Sequence, residues 1–506
     1  MQTTTVAFVG DVMLGRGVGE ELPHRSPAVS WGTALPVLRG SDAVFGNLEC
    51  AITESEQRWN RTRKVFYFRS GPAAVAALEA ANIRCVALAN NHILDFQEQG
   101  LYDTIRHLDA SGIAHAGAGR NRAEAEAPAI VRLPGITVGF VSMTDNEPGF
   151  AATDTTCGTS FRDIEGEQDE ELREHLAARV AACRAAGADL SILSLHWGPN
   201  MVAQPPPVFR RFAQEAIDCG FDLIHGHSAH IFQGVAVIAG RPVLYDTGDF
   251  IDDYVVDKYL RNDWSFIFLA DIAEGVIERI RMIPVRLRYA RVDLATAEER
   301  EAIYSRMVER CAALGTPVET RDGVLQITLP STARDTVVND GEPRPAFHRG
   351  EVKESVMKVE QVMTTNPICA TADTPLQEIA RLMTEQHCGA IPIVRDGKLA
   401  GIITDRDIVC RVVAPGFDAG ALKAADAMTT KVTIIDPDAH AEVAETVMRR
   451  RHIRRLPVID ATGRVVGIVS STDLAAMTEE LASGALYPKV ASHVPKKGSA
   501  RFRGWM

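Results

Sequence analysis

The chain has 506 residues, 46% of them hydrophobic, and a formal net charge of −12. At roughly 150 residues per domain this length implies about three folded units with real cores, and the acidic balance excludes a nucleic-acid-binding protein, which needs a basic face for the phosphate backbone. Nine cysteines with no Cys-x-x-Cys pair exclude a zinc ribbon and a disulfide scaffold, and Cys85 and Cys219 stand among apolar residues, as reduced core thiols do.

In chain order, Val6-Ala7-Phe8-Val9-Gly10-Asp11 predicts a strand that ends in Gly-Asp. Ala43-Val44-Phe45-Gly46-Asn47-Leu48-Glu49 predicts a second, and Val86-Ala87-Leu88-Ala89-Asn90-Asn91-His92 a third, with Asp95 just beyond. Leu190–Leu195 runs into His196-Trp197-Gly198, and Phe221–Ile224 runs into His225-Gly226-His227-Ser228-Ala229-His230. A sixth run, Pro242–Phe250, carries Asp246 and Asp249 at its end. Each apolar run closes on Asp, Asn, Glu or His. Such residues gather along one rim of a sheet, where α/β folds build their sites. Hard oxygen and borderline nitrogen donors together suit Mn, Fe, Zn or Mg. His24, His107, His115 and His175 have no neighbouring ligand residues and are expected to be structural or on the surface.

A helix from Ala297 and a strand over Val324–Ile327 extend this first domain to residue 332. Residues 333–357, with Asp340-Gly341-Glu342-Pro343-Arg344-Pro345 inside them, are expected to be an extended linker. The sequence then repeats itself. Val362-Met363-Thr364-Thr365 matches Ala427-Met428-Thr429-Thr430, and Ala390-Ile391-Pro392-Ile393-Val394 matches Arg455-Leu456-Pro457-Val458-Ile459. Gly401–Ile408 matches Gly467–Leu474. Two copies are too few for a solenoid, and each is read as helix, strand, turn, strand, helix, over 358–418 and 419–480. The tail 481–506 is basic and is expected to be weakly structured.

The motifs Gly10-Asp11, Asn47-Leu48-Glu49, Asn90-Asn91-His92, His196-Trp197-Gly198, Gly226–His230 and Thr247-Gly248-Asp249-Phe250 together resemble those of the CapA, or poly-γ-glutamate capsule, family. The resemblance covers residues 1 to about 332 and implies a calcineurin-like metallophosphoesterase fold, two β-sheets between helical layers. It implies that Asp11, Glu49, Asn91, His196, His227 and His230 bind one or two divalent metals, with Asn47 and His225 at the margin. It also implies that His92 is a general acid, oriented by Asp95. Met13 stands where the wider superfamily has a histidine, and Gly-His-x-x-His replaces Gly-His-x-His. These departures leave the metal count open. A metal-activated water would suit phosphoester hydrolysis or attack on an amide or isopeptide carbonyl. The sequence does not separate them, but it carries neither a Gly-x-Ser-x-Gly elbow nor a Walker loop.

The duplicated half resembles a tandem CBS-domain pair, or Bateman module, over residues 358 to about 478. That resemblance implies a homodimer binding AMP, ATP or S-adenosylmethionine. Asp407 and Asp473 would meet ribose hydroxyls, Thr404 and Ser470 a phosphate, and Ile391 and Leu456 the base. The five arginines of Arg449–Arg455 suit phosphate recognition. Against this, an Asp after a short strand is also a plain helix cap.

No apolar run reaches the roughly 18 residues of a membrane helix, and Met1–Thr5 shows no signal character. A cytoplasmic protein is the expectation. Three functions stay open: a metal-dependent hydrolase set by adenine nucleotide at the CBS pair, a non-catalytic factor that binds or assembles capsule polymer, and a chain whose CBS pair serves only dimerisation.

Overall fold

The structure, a computed structural model, describes residues 3–330 except 63 and 165–169, and residues 358–474 except 387, 396, 431, 440, 451–452, 461 and 472. The chain divides into two compact units, Met1–Asp340 and Gly341–Met506. The expected linker over 333–357 and the tail over 481–506 lie outside the described residues.

Two large sheets form the core of the first unit. At the centre of one are β1 (Thr4–Val12), β2 (Ala43–Leu48) and β3 (Ile83–Ala87), all parallel. At the centre of the other are β4 (Ile136–Thr144), β5 (Leu190–His196), β6 (Leu223–His227) and β7 (Arg241–Leu244), also parallel. A short strand, β8 (Asp249–Ile251), returns to the first sheet and pairs with β1. An antiparallel β9 (Trp264–Ala273) flanks β1 on the edge that β8 also uses, opposite β2.

Alternation along the strands sorts the side chains into layers. Val6 and Phe8 of β1 face the second sheet and share a core with Phe45, Phe140, Ile192 and Leu223. Phe8 and Phe45 meet edge-to-face at 5.7 Å, and Phe45 and Phe140 at 5.4 Å, tying the sheets together. Ala7 and Val9 turn the other way, toward α1 (Ala73–Ala80) and α2 (Gln97–Ala110). Leu193 and Leu195 face α3 (Glu170–Ala185) and α4 (Pro207–Asp218). The result is the expected α/β/β/α sandwich. The expected helix and strand near its end are Ala297–Ala312 and Val324–Thr328. A Thr296–Glu299 capping box starts that helix by giving its free N–H groups acceptors.

In the second unit each repeat contributes an antiparallel pair: β10 (Ala390–Arg395) with β11 (Lys398–Thr404), and β12 (Arg455–Ile459) with β13 (Val465–Ser470). The repeats also exchange their leading segments. Thr364-Thr365 pairs with β13 of the second copy, while Thr429 bridges Ile402 of the first. This exchange accounts for the recurrence of Met-Thr-Thr at both places. In α5 (Leu376–Glu385), Leu376, Ile379 and Met383 are buried at helical spacing.

Candidate metal centre

Strand register brings the expected ligands together. Asp11 lies opposite Asn47 across one edge of β1 and opposite Asp249 across the other. In the second sheet His196 lies opposite His227. The ligands therefore occupy the facing rims of two sheets, where the sequence reading had one rim. Two motif glycines make that approach possible. A Cβ at Gly10 would sit 1.7 Å from the Gly248 carbonyl oxygen, and one at Gly226 would sit 2.0 Å from that of Tyr245.

Asp11 is fully buried at the centre. Its Oδ1 accepts from Asn47 Nδ2 at 2.8 Å and lies 3.4 Å from His227 Nδ1 and 3.9 Å from His196 Nδ1. The two Nδ1 atoms are 3.1 Å apart. A second group gathers on the same carboxylate: Glu49, His230 and Asp249. His230 Nδ1 is 2.8 Å from Asp249 Oδ1 and 3.8 Å from Asp11 Oδ2. Within each group the donor atoms lie within 4.8 Å of one another.

The oxygens of this cluster are short of donors. Among the described residues, both Glu49 oxygens and Asp249 Oδ2 are buried without a hydrogen-bond partner, and so is Asn91 Oδ1, next to His92 in the chain. Each such atom costs about 1–3 kcal/mol unless something compensates. Donors of this kind, set beside the imidazoles of His196, His227 and His230, fit a divalent cation. The acid–base balance agrees. Burial raises the Glu49 carboxyl well above its usual range, and the Asp11 charge adds to this. Burial, then Asp252 and Asp11, do the same to Asp249. For Asp11, burial opposes ionisation, but the close approach of His227 and the fields of His196, His227 and His230 prevail and hold it low. His196 is pushed down by burial, which keeps its lone pair available.

His92 stands beside the cluster, with Nε2 3.8 Å from Glu49 Oε1. Its ring stacks on Phe68 at 3.8 Å, and its Nδ1–H donates to Asp95 Oδ2 at 2.7 Å. Asp95 also accepts from the Phe68 amide at 2.6 Å. Burial, then Lys64, lowers the His92 pKa, and with Nδ1 engaged by Asp95 it is Nε2 that turns toward Glu49.

Sequence reasoning missed several contributors. Asp249 was visible as a strand-end carboxylate but not as a member of the cluster. Lys64, only 5% exposed at its side chain, lies 3.3 Å from Asp95 Oδ1 and donates to the Asn91 carbonyl oxygen. It comes from an irregular loop with no repeat to flag it. Asp246 accepts the Ala229 and Gly248 amides, each at 2.8 Å, and so shapes the His227–His230 turn. His225 binds elsewhere, through both ring nitrogens. Met13, at the position of the superfamily histidine, is buried and its Sδ accepts the Gly15 amide at 3.2 Å.

Comparison with known proteins decides the family. Residues 5–254 match the model of the bacterial capsule synthesis protein PGA_cap, and residues 359–414 and 424–478 match the CBS domain. A Mycobacterium tuberculosis protein named "Probable polyglutamine synthesis accessory protein Rv0574c" is 32% identical over 367 residues, covering 64% of this chain and 95% of its own. The chain belongs to the PGA_cap capsule-synthesis family and carries a CBS-domain pair. The PGA biosynthesis protein CapA of Bacillus subtilis is 27% identical over 253 residues, 49% of this chain and 63% of that protein. The CBS domain-containing protein YhcV of the same organism is 39% identical over 130 residues, 25% of this chain and 91% of its own. The PGA_cap fold is metallophosphoesterase-like, in keeping with the sandwich described above.

In the CBS pair the named polar residues form two matching caps. Asp407 Oδ2 accepts from the Thr404 amide at 2.9 Å and the Thr404 hydroxyl at 2.7 Å, and Asp473 Oδ2 does the same for Ser470 at 2.8 and 2.7 Å. Arg411 lies 3.2 Å from the other Asp407 oxygen. Ile391 and Leu456 are fully buried, each in the apolar core of its own repeat. Of the arginine run, residues 451–452 and the side chains of 449–450 lie outside the described residues. No helix among the described residues is long and apolar enough to cross a membrane.

Proposed function

We propose that the first unit is a metal-dependent hydrolase acting on a phosphoester or an amide or isopeptide bond in a small or polymeric substrate. The observation that carries this reading is the pair of carboxylates Glu49 and Asp249, with partnerless buried oxygens, gathered around Asp11, beside an ordered His92–Asp95 pair that Asn91 precedes with a partnerless oxygen of its own. Asp11, His196 and His227 would hold one cation, and Asp11, Glu49, His230 and Asp249, with Asn91, a second. Bound there, a divalent cation supplies Lewis-acid charge and makes water a nucleophile at neutral pH. His92 takes up a proton at Nε2 and returns it to the leaving group, while Asp95 holds the ring by its Nδ1–H. Phe68 covers one face of the imidazole and limits water there.

Protein loaded with manganese, assayed on bis(p-nitrophenyl) phosphate and on a γ-glutamyl anilide, should turn over one of them. His92→Ala should lower kcat by roughly 10²–10⁴-fold with metal content unchanged. Metal-loaded wild type inert on both would favour the polymer-binding reading.

For the CBS pair, adenine nucleotide (AMP or ATP) or S-adenosylmethionine is the proposed ligand, and it acts on the hydrolase only by binding two states of the module differently. A second reading, dimerisation alone, is favoured by the caps, since Asp407 and Asp473 are already engaged. AMP binding by calorimetry that disappears in Asp407→Ala/Asp473→Ala supports the first. No binding by a dimeric protein supports the second.

A further inference from the structure

We propose that Ser194 and His225 are positioning residues that fix the tautomer of His227 and so aim its Nδ1 lone pair at Asp11. This inference rests on the metal-centre reading for its purpose but not for its geometry.

The chain of hydrogen bonds can be given a direction because its far end is unambiguous. His225 Nε2 lies 2.9 Å from the carbonyl oxygen of Val9, which can only accept. Its other neighbour there, Thr247 Oγ1 at 3.3 Å, has already given its proton to the Gly226 carbonyl at 2.9 Å. Nε2 therefore carries the hydrogen. His225 is fully buried, and among the described residues its hydrogen-bond partners are two hydroxyls and a carbonyl. A charged ring there would be an uncompensated buried ion, which is costly, so the ring is neutral and Nδ1 is an acceptor. Ser194 Oγ, 3.1 Å away, must donate to it. The serine oxygen is then left to accept from His227 Nε2 at 3.0 Å. With its hydrogen on Nε2, His227 turns a bare Nδ1 toward Asp11 Oδ1 at 3.4 Å and His196 Nδ1 at 3.1 Å.

The links span three strands of the two sheets. Val9 is on β1 of one sheet, Ser194 on β5 and the two histidines on β6 of the other. The relay thus also sets the approach of the two rims. His225 and His227 share a face of β6 by strand alternation, and His225, one pleat deeper, meets backbone instead of the cluster.

Long-range proton–nitrogen correlation spectra of metal-free, histidine-labelled protein test the assignment directly, with the His227 signals identified by their loss in His227→Gln. Wild type should show His227 protonated at Nε2 and bare at Nδ1. Ser194→Ala should lose that preference and weaken zinc affinity, titrated calorimetrically, by about 10–100-fold, while Ser194→Thr, which keeps the hydroxyl, should restore both. A protonated Nδ1 in wild type, or Ser194→Ala binding zinc as wild type does, would overturn the proposal. Should wild type take up no zinc, the metal-centre reading falls and the nitrogen spectrum alone decides the relay.

Discussion

Lys64 shows how much of the site depends on one side chain outside every motif. Its ammonium is buried against Asp95 and ties the Asn91 carbonyl to the same point, so it braces the turn that carries both Asn91 and His92. Burial raises the Asp95 carboxyl to about 8 even with Lys64 and the Phe68 amide opposing. Lys64→Met should therefore cost about 3–5 kcal/mol above pH 8, where Asp95 is charged and left unpaired. The cost should shrink at pH 6, where Asp95 takes up a proton. Urea unfolding at the two pH values checks both the size and the sign. Lys64 was not legible in the sequence because nothing local distinguishes a buried lysine on an irregular loop from its exposed neighbours. Asp11, His196 and His227 were legible because an apolar run predicts a strand and a parallel sheet puts the strand's last residues at a rim. His225 and His227 look alike in sequence, and only their depth in β6 separates a positioning group from a ligand.

At the scale of elements, the run Pro242–Phe250 was read as one strand, and the structure splits it. β7 stays in the second sheet, β8 joins the first, and residues 245–248 cross between them. Hydrophobic pattern cannot reveal a change of sheet, since both halves are buried. The crossing is what delivers Asp249 to the cluster and why Gly10 must lack a side chain. The same two-sheet architecture depends on the aromatic contact between Phe45 and Phe140. Phe140→Ala should cost about 3–5 kcal/mol by thermal or urea unfolding, with the loss of ligand convergence seen as weakened metal binding. The CBS repeats were legible as a duplication, but the exchange of their Met-Thr-Thr segments was not, because pairing partners are invisible to a repeat comparison.

For the whole molecule, the buried carboxyls link stability to pH and metal. Glu49 and Asp249 are raised by burial, and Asp246 is raised to about 8, again chiefly by burial. A raised carboxyl pKa stabilises the fold below its unfolded value near 4, and that contribution is lost as pH climbs through the folded value. Metal-free protein should therefore lose stability between about pH 4 and 8 on account of these groups. A bound divalent cation competes with their protons, so the rise in melting temperature on adding manganese should be small at pH 5 and large at pH 8. A rise independent of pH would contradict the assignment of Glu49 and Asp249 to the cation.

The most direct test of the account is the metal content per chain of wild type and Asp11→Asn after manganese loading and dialysis. Asp11 is the residue shared by both donor groups. The expected result is two ions per chain in wild type and none in the variant. Wild type that retains no ion would contradict the metal centre itself.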